Sequence, residues 1–235
     1  MAAEWGQDVP WKPRDIWLSV LVGLALSVGL MAALFTATTL TGANPPTTIL
    51  FAVLTILIYA GFLAGAYLML VLRRGVSFAD IGFVRVPRRT IALMLPITIG
   101  LQVVLGTVVV VTSPLLGEPP TAGEQLVLEG SPSLSIAEVL LLLVDAALIA
   151  PFVEELFFRG LIYRYLRGRW NIVGAVLLSS ILFAATHLIV PLMPVLFVLG
   201  VVLARIADRY RSLYPAVVVH GLNNGLAVLL VAFAT

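Results

Sequence analysis

From Ile16 to Leu72 the chain carries no charged residue and no histidine, and further long apolar runs follow towards its C-terminus. A bilayer crossing takes about 20 helical residues, so runs of this length constrain the fold to one that lies in lipid. Because every backbone N–H and C=O must be satisfied inside lipid, we expect the spanning segments to be helical. The short alternating segments of a membrane β-barrel are not the pattern here.

Seven runs predict an all-α polytopic integral membrane protein, with one membrane domain over residues 1–235. The first apolar stretch, at about 25 residues, is longer than the apolar region of a cleaved signal peptide, so it is interpreted as a span. Gly61 and Gly65 in the second run form a GxxxG pair, which is typical of close helix packing. The predicted spans are about 16–41, 47–72, 90–112, 134–150 with the helix continuing to about 166, 171–190, 192–207 and 213–234.

Composition excludes several classes of protein. The chain is 61% hydrophobic and 11% charged, whereas an ordinary soluble domain is about half apolar and a quarter charged. This disfavours a soluble enzyme and a nucleic-acid-binding protein. The absence of cysteine excludes a thiolate nucleophile, a redox pair and Cys-ligated zinc.

Basic residues mark one side of the predicted spans. The two opposite loops, 42–46 and 113–133, carry no Lys or Arg, and the second contains Glu118, Glu124 and Glu129. The positive-inside rule then predicts a cytoplasmic N-terminus and an external C-terminus, in the cell membrane if the source is prokaryotic. The basic residues are Lys12, Arg14, Arg73, Arg74, Arg85, Arg88, Arg89, Arg159, Arg164, Arg167, Arg169, Arg205, Arg209 and Arg211.

Polar and ionisable residues recur in the later spans, where they are costly and usually face the bundle interior. The fourth predicted helix carries Asp145 and the string PFVEELFFRG, the fifth ends in FAATH, and the seventh carries HGLNNG. We therefore predict a polar intramembrane site formed by the last four helices. Asp145 points away from Glu154 and is interpreted as packing or a polar bridge outside this site.

Helical spacing indicates which of these side chains meet. Glu155 and Arg159 are at i, i+4, so they are predicted to form a structural ion pair. His220 and Asn224 share the same spacing, whereas Asn223 lies off that face. Pro151 has no N–H, so the carbonyl of Ala147 loses its helical partner and the helix can kink just before the acidic pair.

This residue set has the chemistry of a hydrolase. A carboxylate and an imidazole can deprotonate a water, and a second imidazole with an amide can donate hydrogen bonds to an oxyanion. Each histidine taken alone is more typical of an interior residue that bridges helices. Two other classes therefore stay open, a transporter or proton relay that uses the Glu/His cluster and a non-proteolytic scaffold.

These residues resemble the CPBP family of intramembrane proteases, which includes the type 2 CAAX prenyl proteases and the Abi, or bacteriocin self-immunity, proteins. The family pattern is EExxxR, FxxxH and HxxxN, each on its own membrane helix. Here it is matched by EELFFR at 154–159, FAATH at 183–187 and HGLNN at 220–224. The resemblance covers residues 134–235, which it implies are the catalytic core, whereas the first half matches only as generic spans.

The resemblance implies an endopeptidase that cleaves a membrane-associated or prenylated-type peptide within or near the bilayer. It implies that Glu154 is the general base and that His187 helps to activate the water. It also implies that His220 and Asn224 stabilise the oxyanion. Glu155 and Arg159 fall on the family's supporting positions. The expected partners are the lipid bilayer and a peptide or protein substrate, lipidated in the prenyl protease case, and no nucleic acid.

Metal dependence stays open at this point. Glu154, His187 and His220 form a Glu/His₂ set that can bind zinc. The HExxH spacing of common zinc proteases is absent, and two histidines with a carboxylate do not specify a metal. We therefore favour a metal-free, glutamate-dependent mechanism with no cofactor, and keep the zinc-dependent protease as the alternative.

Overall fold

The computed structural model describes Trp5 and residues 8–119 and 134–233 of the chain. Glu124 and Glu129 of the predicted outer loop lie outside the described residues. The described part is helical and contains no strand, which confirms the all-α fold. Its helices are α1 Pro13–Thr41, α2 Thr47–Leu72, α3 Phe78–Ile81, α4 Arg88–Leu116, α5 Ile136–Arg167, α6 Ile172–Ala185, α7 Met193–Tyr210 and α8 Tyr214–Phe233.

Five helices of the described part are long and apolar enough to cross a membrane. They are α1, α2, α4, α5, and α7 together with the 3₁₀ turn Val190–Leu192 that precedes it. Helix α6 and the apolar part of α8, Tyr214–Leu230, are shorter. The predicted total of seven spans therefore stays a prediction.

The described residues divide into two compact units. One comprises residues 11–76, 134–153 and 224–233, and its α1 and α2 pack closely through small residues. A Cβ placed on Gly61 or Gly65 would overlap the backbone of α1 around Gly23. This confirms the close packing predicted from the GxxxG pair. The hydroxyl of Ser27 adds a hydrogen bond across the two helices, donating to the Ile58 carbonyl at 3.0 Å.

The second unit comprises Trp5, residues 8–10, 77–119 and 154–223. Its α6 is preceded by the N-cap residue Asn171, whose side chain accepts a hydrogen bond from the Gly174 N–H at 2.8 Å. Helices α6 and α7 approach closely, because a Cβ on Gly200 would lie 2.9 Å from the Ser180 Cβ. The buried side chains Tyr163, Ala175, Val176 and Ala204 form a core cluster between α5, α6 and α7.

Helix α5 alternates between α- and π-helical turns. It begins at a capping box in which Ser135 accepts from the Glu138 N–H. It is π-helical at Val144–Ile149 and again at Leu156–Tyr163. The π register adds to the prediction about Pro151: with i→i+5 bonds, the carbonyl opposite the proline is that of Ala146.

Candidate active site

The acidic pair lies at the end of an α-helical stretch of α5, Ala150–Glu155, just before the second π-helical segment. The two carboxylates differ in exposure. Glu155 is completely buried, whereas the Glu154 side chain keeps 14% of its surface exposed. Of the two, only Glu154 is thus open to a water molecule or a substrate.

Arg159 fixes Glu155 in the protein interior. Its Nη1 donates to Glu155 Oε1 at 2.7 Å, and both side chains are buried. Its Nη2 donates to the Gly200 carbonyl of α7 at 3.2 Å. The i, i+4 ion pair predicted from the spacing is thereby confirmed, and the structure adds the anchor on α7. A buried carboxylate needs such charged and hydrogen-bonding partners.

His220 connects α8 to both members of the acidic pair. Its Nδ1 lies 2.9 Å from Glu155 Oε1, and its Nε2 lies 3.6 Å from Glu154 Oε2. Arginine has no acceptor atom, so Glu155 Oε1 is the acceptor for both Arg159 and His220. The proton on Nδ1 of His220 is therefore assigned to the bond with Glu155, and Nε2 is the ring nitrogen that faces Glu154.

Phe183 forms the common wall of this cluster. Its fully buried ring lies under the Arg159 guanidinium, 4.4 Å from the ring centroid. The His187 and His220 rings pack edge-on against it, at centroid distances of 5.0 and 5.7 Å. One aromatic ring thus contacts side chains from all three sequence motifs.

His187 does not lie inside a helix, so this prediction was wrong. Helix α6 ends at Ala185, and His187 follows in a turn. In a continued α-helix the His187 N–H would bond to the Phe183 carbonyl. That carbonyl instead accepts from the Thr186 hydroxyl at 2.8 Å and lies 3.0 Å from His187 Nδ1. Beyond the end of the helix, Leu188 takes a left-handed conformation, with φ +58°.

Asn223 and Asn224 make different contacts. Asn224 Nδ2 donates to the Ala146 carbonyl at 3.1 Å. Asn223 Oδ1 accepts from Gln102 Nε2 of α4 at 3.1 Å. Gln102 was not predicted as a partner, although a lone amide in an apolar span is a signal of the same kind.

Asp145 forms a polar bridge outside the cluster, as predicted. It is buried, and its Oδ2 accepts a hydrogen bond from the Thr55 hydroxyl of α2. Thr55 could not be predicted as its partner, because a threonine in an apolar span most often bonds to its own helix.

Two of the three ligands proposed for the zinc alternative, Glu154 and His220, lie close together. The 3.6 Å between His220 Nε2 and Glu154 Oε2 is close to the separation of two donors on one tetrahedral zinc ion. In that arrangement, the Nδ1 bond to Glu155 would be the usual outer-shell support. Within the described residues, however, no three His, Cys, Asp or Glu side chains are grouped to hold a metal.

Comparison with known proteins gives a match to one family model, over part of the chain. Residues 136–226 match the sequence model described as type II CAAX prenyl endopeptidase, Rce1-like. The matched range contains all three motifs and every residue of the charged cluster. Neither the curated proteins nor the solved structures gave a match.

Proposed function

Since residues 136–226 carry the Rce1-like segment of the CPBP/CAAX protease family, we propose that this integral membrane protein is a glutamate-dependent intramembrane endopeptidase. The observation that carries the proposal is the bridge of His220 to both glutamates of the EExxxR motif. The proposed substrate is a membrane-associated, prenylated-type peptide.

Glu154 is the proposed general base. Its side chain keeps part of its surface exposed, so that a water molecule can approach it, whereas Glu155 is buried and already accepts two hydrogen bonds. Water attacks the scissile carbonyl carbon as its proton passes to Glu154. When the C–N bond breaks, the same proton passes from Glu154 to the leaving nitrogen. His187, as its motif position in the resemblance implies, helps to orient the water.

His220 is proposed to hold the oxyanion through Nε2. Because its Nδ1–H bonds to Glu155, a donor on Nε2 requires that the ring carry both protons. The charges of Glu154, Glu155, Arg159 and His220 then sum to zero, which suits a buried charged cluster. The second oxyanion donor is the amide of Asn224, by its motif position. Each such donor contributes roughly 10²–10³ in kcat.

Seven crossings are the proposed topology: the length of α8 allows a full crossing, whereas α6 is too short for one by itself. Helix α8 has 20 residues and rises about 30 Å, the thickness of the hydrocarbon core. Helix α6 has 14 residues and rises about 21 Å, so a start at one interface leaves its end inside the bilayer. His187 would then sit at membrane depth, with the N-terminus in the cytoplasm and the C-terminus outside.

The test is cleavage of a quenched, prenylated peptide by the full chain in liposomes. We expect wild type to cleave it and Glu154→Gln to lose about 10²–10⁴ of kcat, the usual contribution of a general base. Glu138→Gln is the matched control, because Glu138 lies on the same helix but caps its start. We expect Glu138→Gln to cleave at close to the wild-type rate.

Four outcomes would contradict parts of the proposal. Wild-type protein without cleavage would favour a transporter or scaffold. Full activity of Glu154→Gln would remove the assigned base. Loss of activity with a chelator, restored by added zinc, would replace the metal-free mechanism with the zinc-dependent one. Equal cleavage of the peptide without its prenyl group would remove lipidation from the substrate.

A further inference from the structure

One hydrogen bond of Asn224 goes to the backbone of another helix. Its Nδ2 donates to the Ala146 carbonyl at 3.1 Å, in the first π-helical segment of α5. A helical carbonyl normally bonds to an N–H of its own helix, so the bond from a side chain to the Ala146 carbonyl needs a physical reason.

The helical register explains why the Ala146 carbonyl needs another donor. The Ala150 N–H, its α-helical partner, donates to the Asp145 carbonyl instead. In the i→i+5 register, the next donor in line for Ala146 is residue 151. That residue is Pro151, which has no N–H. A carbonyl left without a donor in an apolar environment is costly, and Asn224 supplies the donor.

The surrounding packing brings α8 close enough to do this. Gly225 follows Asn224, and a Cβ at Gly225 would lie only 3.3 Å from the Ala147 Cβ. The same π-helical segment also contacts α2, because the Thr55 hydroxyl donates a hydrogen bond to Asp145. Its shape is thus fixed by side-chain donors from two helices.

We infer that Pro151 and Asn224 form one structural device. Pro151 leaves the Ala146 carbonyl without a backbone donor, and Asn224 supplies that donor. Asn224 is therefore a positioning residue for α5. Glu154 and Glu155 follow three and four residues after Pro151 on that helix. The catalytic consequence rests on the proposed function, whereas the hydrogen bond does not.

The device is tested by a double-mutant cycle on the full chain in detergent. Asn224→Leu removes the donor and is expected to lower the unfolding midpoint by about 2–4 °C, the size of one lost hydrogen bond. Pro151→Ala restores an N–H at residue 151, which can satisfy Ala146 from within α5. In the Pro151→Ala background, Asn224→Leu is therefore expected to leave the midpoint nearly unchanged.

Asn223→Leu is the matched control. Asn223 is the neighbouring asparagine of α8 but bonds to Gln102, so its substitution is expected to lower the midpoint equally in both backgrounds. An equal loss for Asn224→Leu in both backgrounds would overturn the inference. Should Asn224→Leu alone fail to fold, recovery of folded protein in the double variant supports it, and failure of both contradicts it.

Kinetics add a readout that a purely structural contact would not change. We expect Asn224→Leu to lower kcat with KM unchanged, and Pro151→Ala to restore several-fold of that loss. The remaining loss reports the direct oxyanion role. If wild type cleaves no peptide, the proposed function fails, while the unfolding cycle still decides the role of Asn224.

Discussion

Helix α5 buries two carboxylates ten residues apart, Glu155 and Asp145, and different donors hold them. Glu155 accepts from a guanidinium and an imidazole at the same oxygen. Asp145 accepts from the hydroxyl of Thr55. Both lie in a helix long and apolar enough to cross a membrane, so the contrast concerns the donors and not the depth of burial.

Glu155 thus belongs to a cluster with Arg159 and His220, whereas Asp145 forms a hydrogen bond between two helices. The partner of Glu155 is a guanidinium, and removing one member of a buried ion pair leaves the other buried without its partner. A threonine hydroxyl is a neutral donor, and hydrogen bonds of this kind between membrane helices are worth little on average. The comparison therefore predicts a large effect at Arg159 and a small one at Thr55.

The largest effect is expected for Arg159→Met, which leaves Glu155 with a single donor. Breaking a buried ion pair from one side costs about 3–5 kcal/mol, measured here as the free energy of unfolding in mixed micelles. Arg169→Met is the control, because the Arg169–Asp8 pair is largely exposed and such pairs contribute about 0–1 kcal/mol.

The ion pair itself can be isolated by adding Glu155→Gln to Arg159→Met. With the charge on residue 155 removed, part of the lost stability should return. A double variant as unstable as the sum of the two single variants would show that the two side chains do not interact, against the 2.7 Å contact.

An intermediate effect is expected for Gly200→Ala. The new Cβ would lie 2.9 Å from the Ser180 Cβ, so α6 and α7 must separate, and Arg159 would lose part of its bond to the Gly200 carbonyl. Overpacking of this kind costs about 1–3 kcal/mol. We also expect reduced cleavage, since Arg159 holds Glu155, which in turn holds His220.

Gly100→Ala supplies the comparison on α4, where a Cβ meets nothing within 4 Å. There the substitution should stabilise the helix by about 0.5–1 kcal/mol, because alanine loses less backbone entropy than glycine. If Gly200→Ala and Gly100→Ala changed the free energy of unfolding alike, the close approach of α6 and α7 would not contribute to stability.

The sequence predicted the helical fold and the Glu155–Arg159 pair, because both depend on spacing along one segment. Apolar periodicity and the i, i+4 rule need no knowledge of other helices. The bounds of α2 were predicted at 47–72, as observed, because polar and proline residues flank that run. The roles assigned to Glu154, His187, His220 and Asn224 stay predictions.

What spacing could not predict depends on partners from distant segments or on a change of helical register. The end of α6 before His187 follows from competition for one carbonyl. The orphaned carbonyl at Ala146 follows from π-helical turns, which have no simple sequence signature. The Gly200 carbonyl and Gln102 became partners only through packing.

The smallest effect is expected for Thr55→Val, which keeps the shape of the side chain but removes the donor to Asp145. Interhelical hydrogen bonds in membranes average about 0.6 kcal/mol and reach about 1.7, so the free energy of unfolding should fall within that range. Thr107→Val is the matched control, because the Thr107 hydroxyl is exposed and bonds to the Val103 carbonyl of its own helix. A loss at Thr55 as large as that at Arg159 would mean that Asp145 is held as a charge, and the contrast between the two carboxylates would then fail.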